Sequence, residues 1–396
     1  MMQISPETQL FIREHSSDDV RVLALQAKKY PDIDMPTAIT QIAGRKVAAE
    51  KIPSWWEIEK IWYPKHLSLE QCSSEITARY KARLLQGDSL TDLTGGFGID
   101  CSFLATGFKS ATYVERQEEL CEIAAHNFPV LNLNHINIKN EDGVTYLQVM
   151  SPVDCLFLDP ARRNEHGGKT VAISDCEPNV AELEELLLQK ANRVMIKLSP
   201  MLDLSLALKE LKHTQEIHIL SVNNECKELL ILLGQTSPTE ITIHCVNLLT
   251  KGTQEEQHLV FTREQEQRSQ CTYTDSLGNY LYEPNASLLK AGAFRSIAAA
   301  YPVRKLHPNS HLYTSDTFIE NFPGRIFRIV NQCSFNKKEV KENLADLKKA
   351  NVTVRNFPAT VAELRKRLHL TEGGDTYLFA STLNNGQKVI IRCEKV

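Results

Sequence analysis

The sequence has no apolar run approaching the roughly 18 residues of a membrane span, so no transmembrane segment is expected. Met1 to Tyr30 lacks a basic flank followed by an apolar stretch, so no signal peptide is expected either. Among the ten cysteines, at 72, 101, 121, 155, 176, 226, 245, 271, 333 and 393, no two form a C-x-x-C pair. That excludes a paired-cysteine zinc site and a small disulfide framework, and leaves scattered reduced thiols of a cytoplasmic chain. The histidines, His126 and His166 among them, show no metal-ligand spacing, so no metal is expected. Long internal repeats and low-complexity tracts are absent.

What is present is an ordinary globular composition: 396 residues, 42% hydrophobic and 24% charged. This excludes wholesale disorder and fibrous repeats, and the length implies two to four domains. The net charge of −4 hides an asymmetry. Residues 281–396 carry 18 Lys+Arg against 10 Asp+Glu, or +8, and the rest of the chain carries −12. A basic part on an acidic body is a hint of a partner bearing phosphates, a nucleic acid among them, and a merely solvated surface is the bland and preferred alternative on charge alone.

Residues 1–86 read as a helical domain. Ser5-Pro6-Glu7 is a helix start, a second helix is expected over Thr37 to Lys51, and Ser73-Ser74-Glu75 opens a third through Leu85. All three tryptophans, Trp55, Trp56 and Trp62, fall between these helices as packing anchors. From 87 to 268 strands and helices alternate. Strands are expected at Ser89–Leu93, Ala111–Val114, Ile136–Lys139, Cys155–Leu158, Arg193–Lys197 and Ile217–Val222, with helices at Ile99–Thr106, Gln117–Asn127, Glu182–Lys190 and Ser205–Leu211. This is the pattern of an open, mostly parallel α/β sheet, with Lys227–Leu233, Ile241–Val246 and His258–Phe261 as an antiparallel edge. Residues 269–321 and 322–396 read as two α+β modules, with a helix over Ser287–Ala300 in the first and one over Lys337–Lys349 in the second.

The sharpest motif is Asp92-Leu93-Thr94-Gly95-Gly96-Phe97-Gly98, at the end of the first strand of the alternating region. Its glycines let the backbone turn tightly against a ligand, and the next helix offers its N-terminal amides. Asp92 suits a cationic amine. Glu115, 17 residues past Gly98 and followed by Arg116, ends the next strand, where an acid can hold both hydroxyls of a ribose. Asp142 follows the third strand, where a carboxylate can accept from an adenine amine. A nicotinamide dinucleotide is disfavoured, because Asp92 would repel a pyrophosphate and Cys101 stands where the fingerprint needs a small glycine-like residue. The fourth strand ends in Asp159-Pro160-Ala161-Arg162-Arg163, where a doubly wound sheet meets its ligands. Lys197 ends the following strand and faces the same rim, where it reads either as a helper of the catalytic group or, in preference, as a plain surface lysine. Asp175 and Glu177 read either as pocket-lining acids or, in preference, as solvated loop acids.

The 92–98 and 159–163 motifs resemble the cofactor loop and the Asn/Asp-Pro-Pro-aromatic motif of class I S-adenosylmethionine-dependent methyltransferases acting on nucleobase amines. The lead-in Leu69 to Ala82 is similar to the helix preceding that loop in bacterial methyltransferases with a THUMP-like C-terminal domain. Phe322 to Val396 resembles that module, and about Tyr280 to Asp316 a small ferredoxin-like insert. The resemblance implies a Rossmann-like methyltransferase core between an N-terminal helical domain and C-terminal ferredoxin-like and THUMP-like modules. It implies S-adenosyl-L-methionine held by Asp92, Thr94, Gly95, Gly96, Phe97, Gly98, Glu115, Arg116, Asp142 and Asp159. It also implies catalysis by Asp159, Pro160, Arg162 and Arg163 on rRNA or tRNA. The chain departs from the motif at two places: Ala161 replaces the second proline and Arg162 the stacking aromatic, so the motif does not set the target atom. A methyltransferase for a small molecule or protein, and a non-catalytic RNA-binding protein with a retained cofactor fold, are the alternatives.

Overall fold

A computed structural model describes residues 4–162, 172–251 and 255–396. The chain forms two compact units, Met1–Gln215 with Leu230–Pro238, and Glu216–Leu229 with Thr239–Val396.

The first unit opens with six helices, α1 (Pro6–Glu14), α2 (Val20–Leu25), α3 (Met35–Lys51), α4 (Pro53–Trp56), α5 (His66–Gln71) and α6 (Glu75–Ala82). Their starts follow from local chemistry. Ser5 accepts from the Thr8 amide ahead of Pro6, and Asp34 accepts from the Thr37 amide. One apolar cluster joins Phe11, Leu23, Met35, Ala38 and Ile42. A second runs from Ala48, Trp55 and Tyr63 to Phe97, Ile99 and Leu120, so the helices pack directly on the glycine turn. Trp55 anchors this contact edge-on to Phe97, with ring centroids 5.2 Å apart. Trp62 stacks on His126 at 3.7 Å. Trp56 is no such anchor: it is 41% exposed and lies beneath Arg45.

The alternating region supplies β1 (Ser89–Asp92), α7 (Ile99–Ala105), β2 (Ser110–Glu115), α8 (Glu118–Val130), β3 (Ile136–Asn140), α9 (Gly143–Val149) and β4 (Val153–Leu158). After these come β5 (Ala161–Arg162), β6 (Cys176–Glu177), α10 (Val180–Lys190), β7 (Ala191–Leu198) and α11 (Leu204–Glu210). Strands β7-β4-β1-β2-β3 lie side by side and parallel, in that order. Runs such as Cys155 to Leu158 are buried, as a sheet covered on both faces requires. Strand order reverses at β1, between β2 and β4, so a crevice opens at the carboxyl ends of β1 and β4. The sequence reading has no helix where α9 stands; Asp142 caps it.

The second unit contains β8 (Thr214–Val222) from Glu216 on, the first half of β9 (Glu225–Gly234), β10 (Thr242–Leu248), β11 (Glu256–Thr262) and α12 (Arg263–Arg268). Of the expected antiparallel edge, β11 pairs antiparallel with β10, whereas β10 runs parallel to β8. The chain continues through β12 (Tyr280–Pro284), α13 (Ala286–Ala291), α14 (Phe294–Ala300), β13 (Arg304–Lys305), β14 (Tyr313–Ser315), β15 (Gly324–Ser334), α15 (Lys337–Leu344), β16 (Asn351–Val354), α16 (Val361–Leu368), β17 (Thr376–Thr382) and β18 (Lys388–Lys395). These strands form one sheet in the order β13-β14-β12-β15-β18-β17-β16, joined at the β12–β15 pairing. The helix expected over Ser287–Ala300 is two helices, because Gly292 takes φ +74° and ends the first. All ten cysteines are free. Among the described residues no helix is long and apolar enough to cross a membrane.

Candidate functional site

The crevice above β1 and β4 is built on the glycine turn. A Cβ on Gly95 would stand 2.3 Å from Cε2 of Tyr113, and Gly96 and Gly98 take φ of +53° and +87°. The turn is closed by its own hydrogen bonds. The amides of Gly95, Gly96 and Gly98 donate to the Val114 carbonyl (2.8 Å), Oε2 of Glu115 (2.9 Å) and the Gly95 carbonyl (2.9 Å). These three glycine amides are therefore committed within the protein and are not available to a diphosphate. Phe97 is 4% exposed and turned into the helical core, so only its backbone belongs to the loop.

Asp92 is fully buried. Its Oδ1 accepts from the Thr94 amide at 2.9 Å, while its Oδ2 is buried with no hydrogen-bond partner among the described residues. Burial raises its pKa to about 8; the Thr94 amide opposes the shift, and Asp100, Asp159 and Glu115 add to it. A buried acceptor without a donor costs free energy, which a bound cation with N–H groups would remove. Glu115 lies one strand over. Its Oε1 accepts from the Gln117 amide at 2.8 Å, so the carboxylate is held in one orientation.

Asp142 is exposed at the N-terminus of α9, where Oδ1 accepts from the amides of Val144 and Thr145, both at 3.0 Å. Arg116 is exposed and pairs loosely with Glu177 at 3.7 Å. Thr94 ties the two motifs together: its Oγ1 accepts from the Asp159 amide at 2.6 Å. Pro160 is buried, and β5 pairs antiparallel with β6, which sets Arg162 opposite Cys176. Arg163 lies outside the described residues.

Lys197 is not a surface lysine. It is 8% exposed, and its Nζ stands 2.6 Å from Oδ2 of Asp159 and 3.3 Å from Oδ2 of Asp100. Asp100 also pairs with the fully buried Lys81 at 3.0 Å and accepts from Oγ of Ser73 at 2.7 Å. Burial alone would raise the pKa of Asp100, but Lys81 and Lys197 together hold it down to about 2. Burial raises that of Asp159, with Lys197 opposing. The sequence reading misses this chain of alternating charges. Its available signal was a lysine inside the apolar run Met195-Ile196-Lys197-Leu198.

Residues 280–323 match the family of ferredoxin-like domains and 324–395 the family of THUMP domain-like domains. No curated protein matches the chain. Among solved structures, a "putative methyltransferase" from Porphyromonas gingivalis W83 shares 34% identity over 100% of both chains, with a TM-score of 0.87. A modification subunit of a "putative type I restriction enzyme" from Vibrio vulnificus YJ016 aligns over 51% of this chain and 56% of its own, at 12% identity and TM-score 0.34. A "putative methyltransferase" from Streptococcus mutans in complex with SAH aligns over 40% of this chain and 96% of its own, at 13% identity and TM-score 0.30. At those last two TM-scores the likenesses carry no argument about the crevice.

Proposed function

This chain belongs to the family of the Porphyromonas gingivalis protein, and from that premise we propose that it transfers a methyl group from S-adenosylmethionine to a base nitrogen of rRNA or tRNA. The observation that carries the reading is the buried Oδ2 of Asp92, unpartnered among the described residues, beside a closed glycine turn, with Glu115 one strand away. That combination fits a cationic amino acid next to a ribose, and it disfavours a dinucleotide.

Asp92 would accept from the ammonium group of the cofactor, Glu115 from the ribose hydroxyls, and the free oxygen of Asp142 from the adenine amine. Thr94, Gly95, Gly96, Phe97, Gly98 and Arg116 shape the pocket around them. When bound, S-adenosylmethionine supplies a methyl group already activated by its sulfonium. The chain's own task is therefore alignment and proton handling. Asp159 orients the target amine and accepts its proton, and Lys197 holds the Asp159 carboxylate in place and favours its ionised form. Pro160 fixes the backbone behind Asp159. Arg162 and Arg163 would steer base or phosphate.

The RNA reading is supported by the THUMP domain-like match and by charge. Lys337, Lys338, Lys341, Lys348, Lys349, Lys366 and Arg367 are all exposed on α15, α16 and the stretch after α15. The test is labelled methyl transfer onto total RNA from a strain lacking the protein, followed by nucleoside analysis. One labelled methylnucleoside is expected. Label confined to the protein or small-molecule fraction would replace RNA with that substrate class.

A further inference from the structure

In the second unit β8, β10 and β11 lie side by side. The two-residue period of a strand puts Glu216 and His218 on one face of β8. The register sets His244 of β10 directly across from His218. On β11 the partner of His244 is Val260, and His258 lies two residues along on the same face. Four metal-ligating side chains thus share one patch of sheet, although the sequence separates His218 from His244 by 26 positions.

The distances within the patch are close to those of a ligand shell. One donor atom each from Glu216, His218 and His244 lie within 4.8 Å of one another. Nε2 of His218 is 3.2 Å from Oε2 of Glu216; the rings of His218 and His244 stack at 4.2 Å and 13°, so one ring must rotate before both direct a nitrogen at a single ion. Zinc–ligand bonds of about 2.0–2.1 Å place neighbouring donors of a tetrahedral shell about 3.3 Å apart. The His218–Glu216 pair already has that spacing, and the remaining gaps close by about 1.5 Å or less through side-chain rotation. Nδ1 of His244 is 3.3 Å from Nε2 of His258, a contact of the kind that orients a ligating imidazole from behind.

The exposure is graded: His218 is buried, His244 half-buried and His258 exposed, which leaves a path from solvent. Imidazole nitrogens with one carboxylate suit zinc-class ions; calcium and magnesium prefer oxygen throughout.

We propose that Glu216, His218 and His244, with His258 at the rim, bind one zinc-class divalent ion that clips β8 to β10 at the sheet edge. The proposal is independent of the methyl-transfer reading.

The test is cobalt titration of the full-length, chelator-treated protein, followed by absorbance, with zinc competition and thermal melts. One ion per chain is expected, with the visible absorption of tetrahedral cobalt and without thiolate charge transfer. Zinc should raise the melting temperature. His244→Asn and Glu216→Gln should each weaken binding by about tenfold or more, and His258→Ala, at the exposed rim, by about tenfold. If His244→Asn fails to fold, the other two variants decide. Three results would each overturn the proposal: no binding at one ion per chain, a thiolate band placing the ion on cysteine, or wild-type affinity in the folded variants.

Discussion

The ammonium of Lys197 stands 2.6 Å from the Asp159 carboxylate, so the residue proposed to receive the substrate's proton already carries a counterion. The same ammonium reaches Asp100 at 3.3 Å, which ties the end of β4 to α7 and, through Lys81, to α6.

Lys197→Met should therefore lower methyl transfer by about 10²–10⁴-fold while leaving cofactor affinity close to wild type. Burial raises the pKa of Asp159 and Lys197 opposes that rise. Losing the lysine should move the acid limb of the rate profile to higher pH. An unshifted limb in pH-resolved kinetics would remove Lys197 from this role.

The buried Lys81–Asp100 pair should make part of the stability depend on pH. Asp100 is held at about 2, below its ordinary value of 3.8. Its contribution is thus present above the unfolded value and is lost as pH falls towards 2. Lys81→Met leaves a buried carboxylate short of a partner and should cost about 3–5 kcal/mol in urea unfolding. It should also move acid unfolding to higher pH. Removing the carboxylate as well, in Lys81→Met/Asp100→Asn, should recover part of the loss; a double variant no more stable than the single one would contradict this.

The two outcomes of sequence reading differ for physical reasons. The turn from Asp92 to Gly98 and the acids at Glu115, Asp142 and Asp159 are legible because strand ends recur at intervals along the chain, and a parallel sheet aligns those ends. The Lys81–Asp100–Lys197–Asp159 chain is not, because it joins α6, α7, β7 and β4 through tertiary contacts that leave no local pattern. The same holds for Glu216, His218 and His244, which strand register brings together. Within the second unit, Ala286 to Ala300 has the composition of one helix, and only the left-handed Gly292 divides it.

Cofactor affinity should depend on pH through Asp92. Its pKa near 8 means that the protonated acid must ionise to receive an ammonium. Affinity should rise by about tenfold per pH unit below 8 and turn over above it, as the ligand's own amine, with a pKa of about 8, loses its charge. Calorimetry in buffers of different ionisation enthalpy should detect about one proton released per cofactor at pH 7. A flat profile in the wild type would contradict the assignment of Asp92.

RNA binding should weaken steeply with salt, because cations on α15 and α16 would displace counterions from phosphates. Lys366→Glu/Arg367→Glu, at exposed positions, should lower RNA affinity and flatten the salt slope by about 1–2 without changing cofactor affinity. Salt-independent retention of RNA in filter binding would count against the basic surface.

The most direct measurement is calorimetric titration of S-adenosylmethionine into the wild type, Asp92→Ala and Glu115→Ala, each checked for folding by circular dichroism. The expected result is one site per wild-type chain and no measurable binding to either variant. Wild-type affinity in a folded Asp92→Ala protein would mean that the cofactor does not sit where β1 ends.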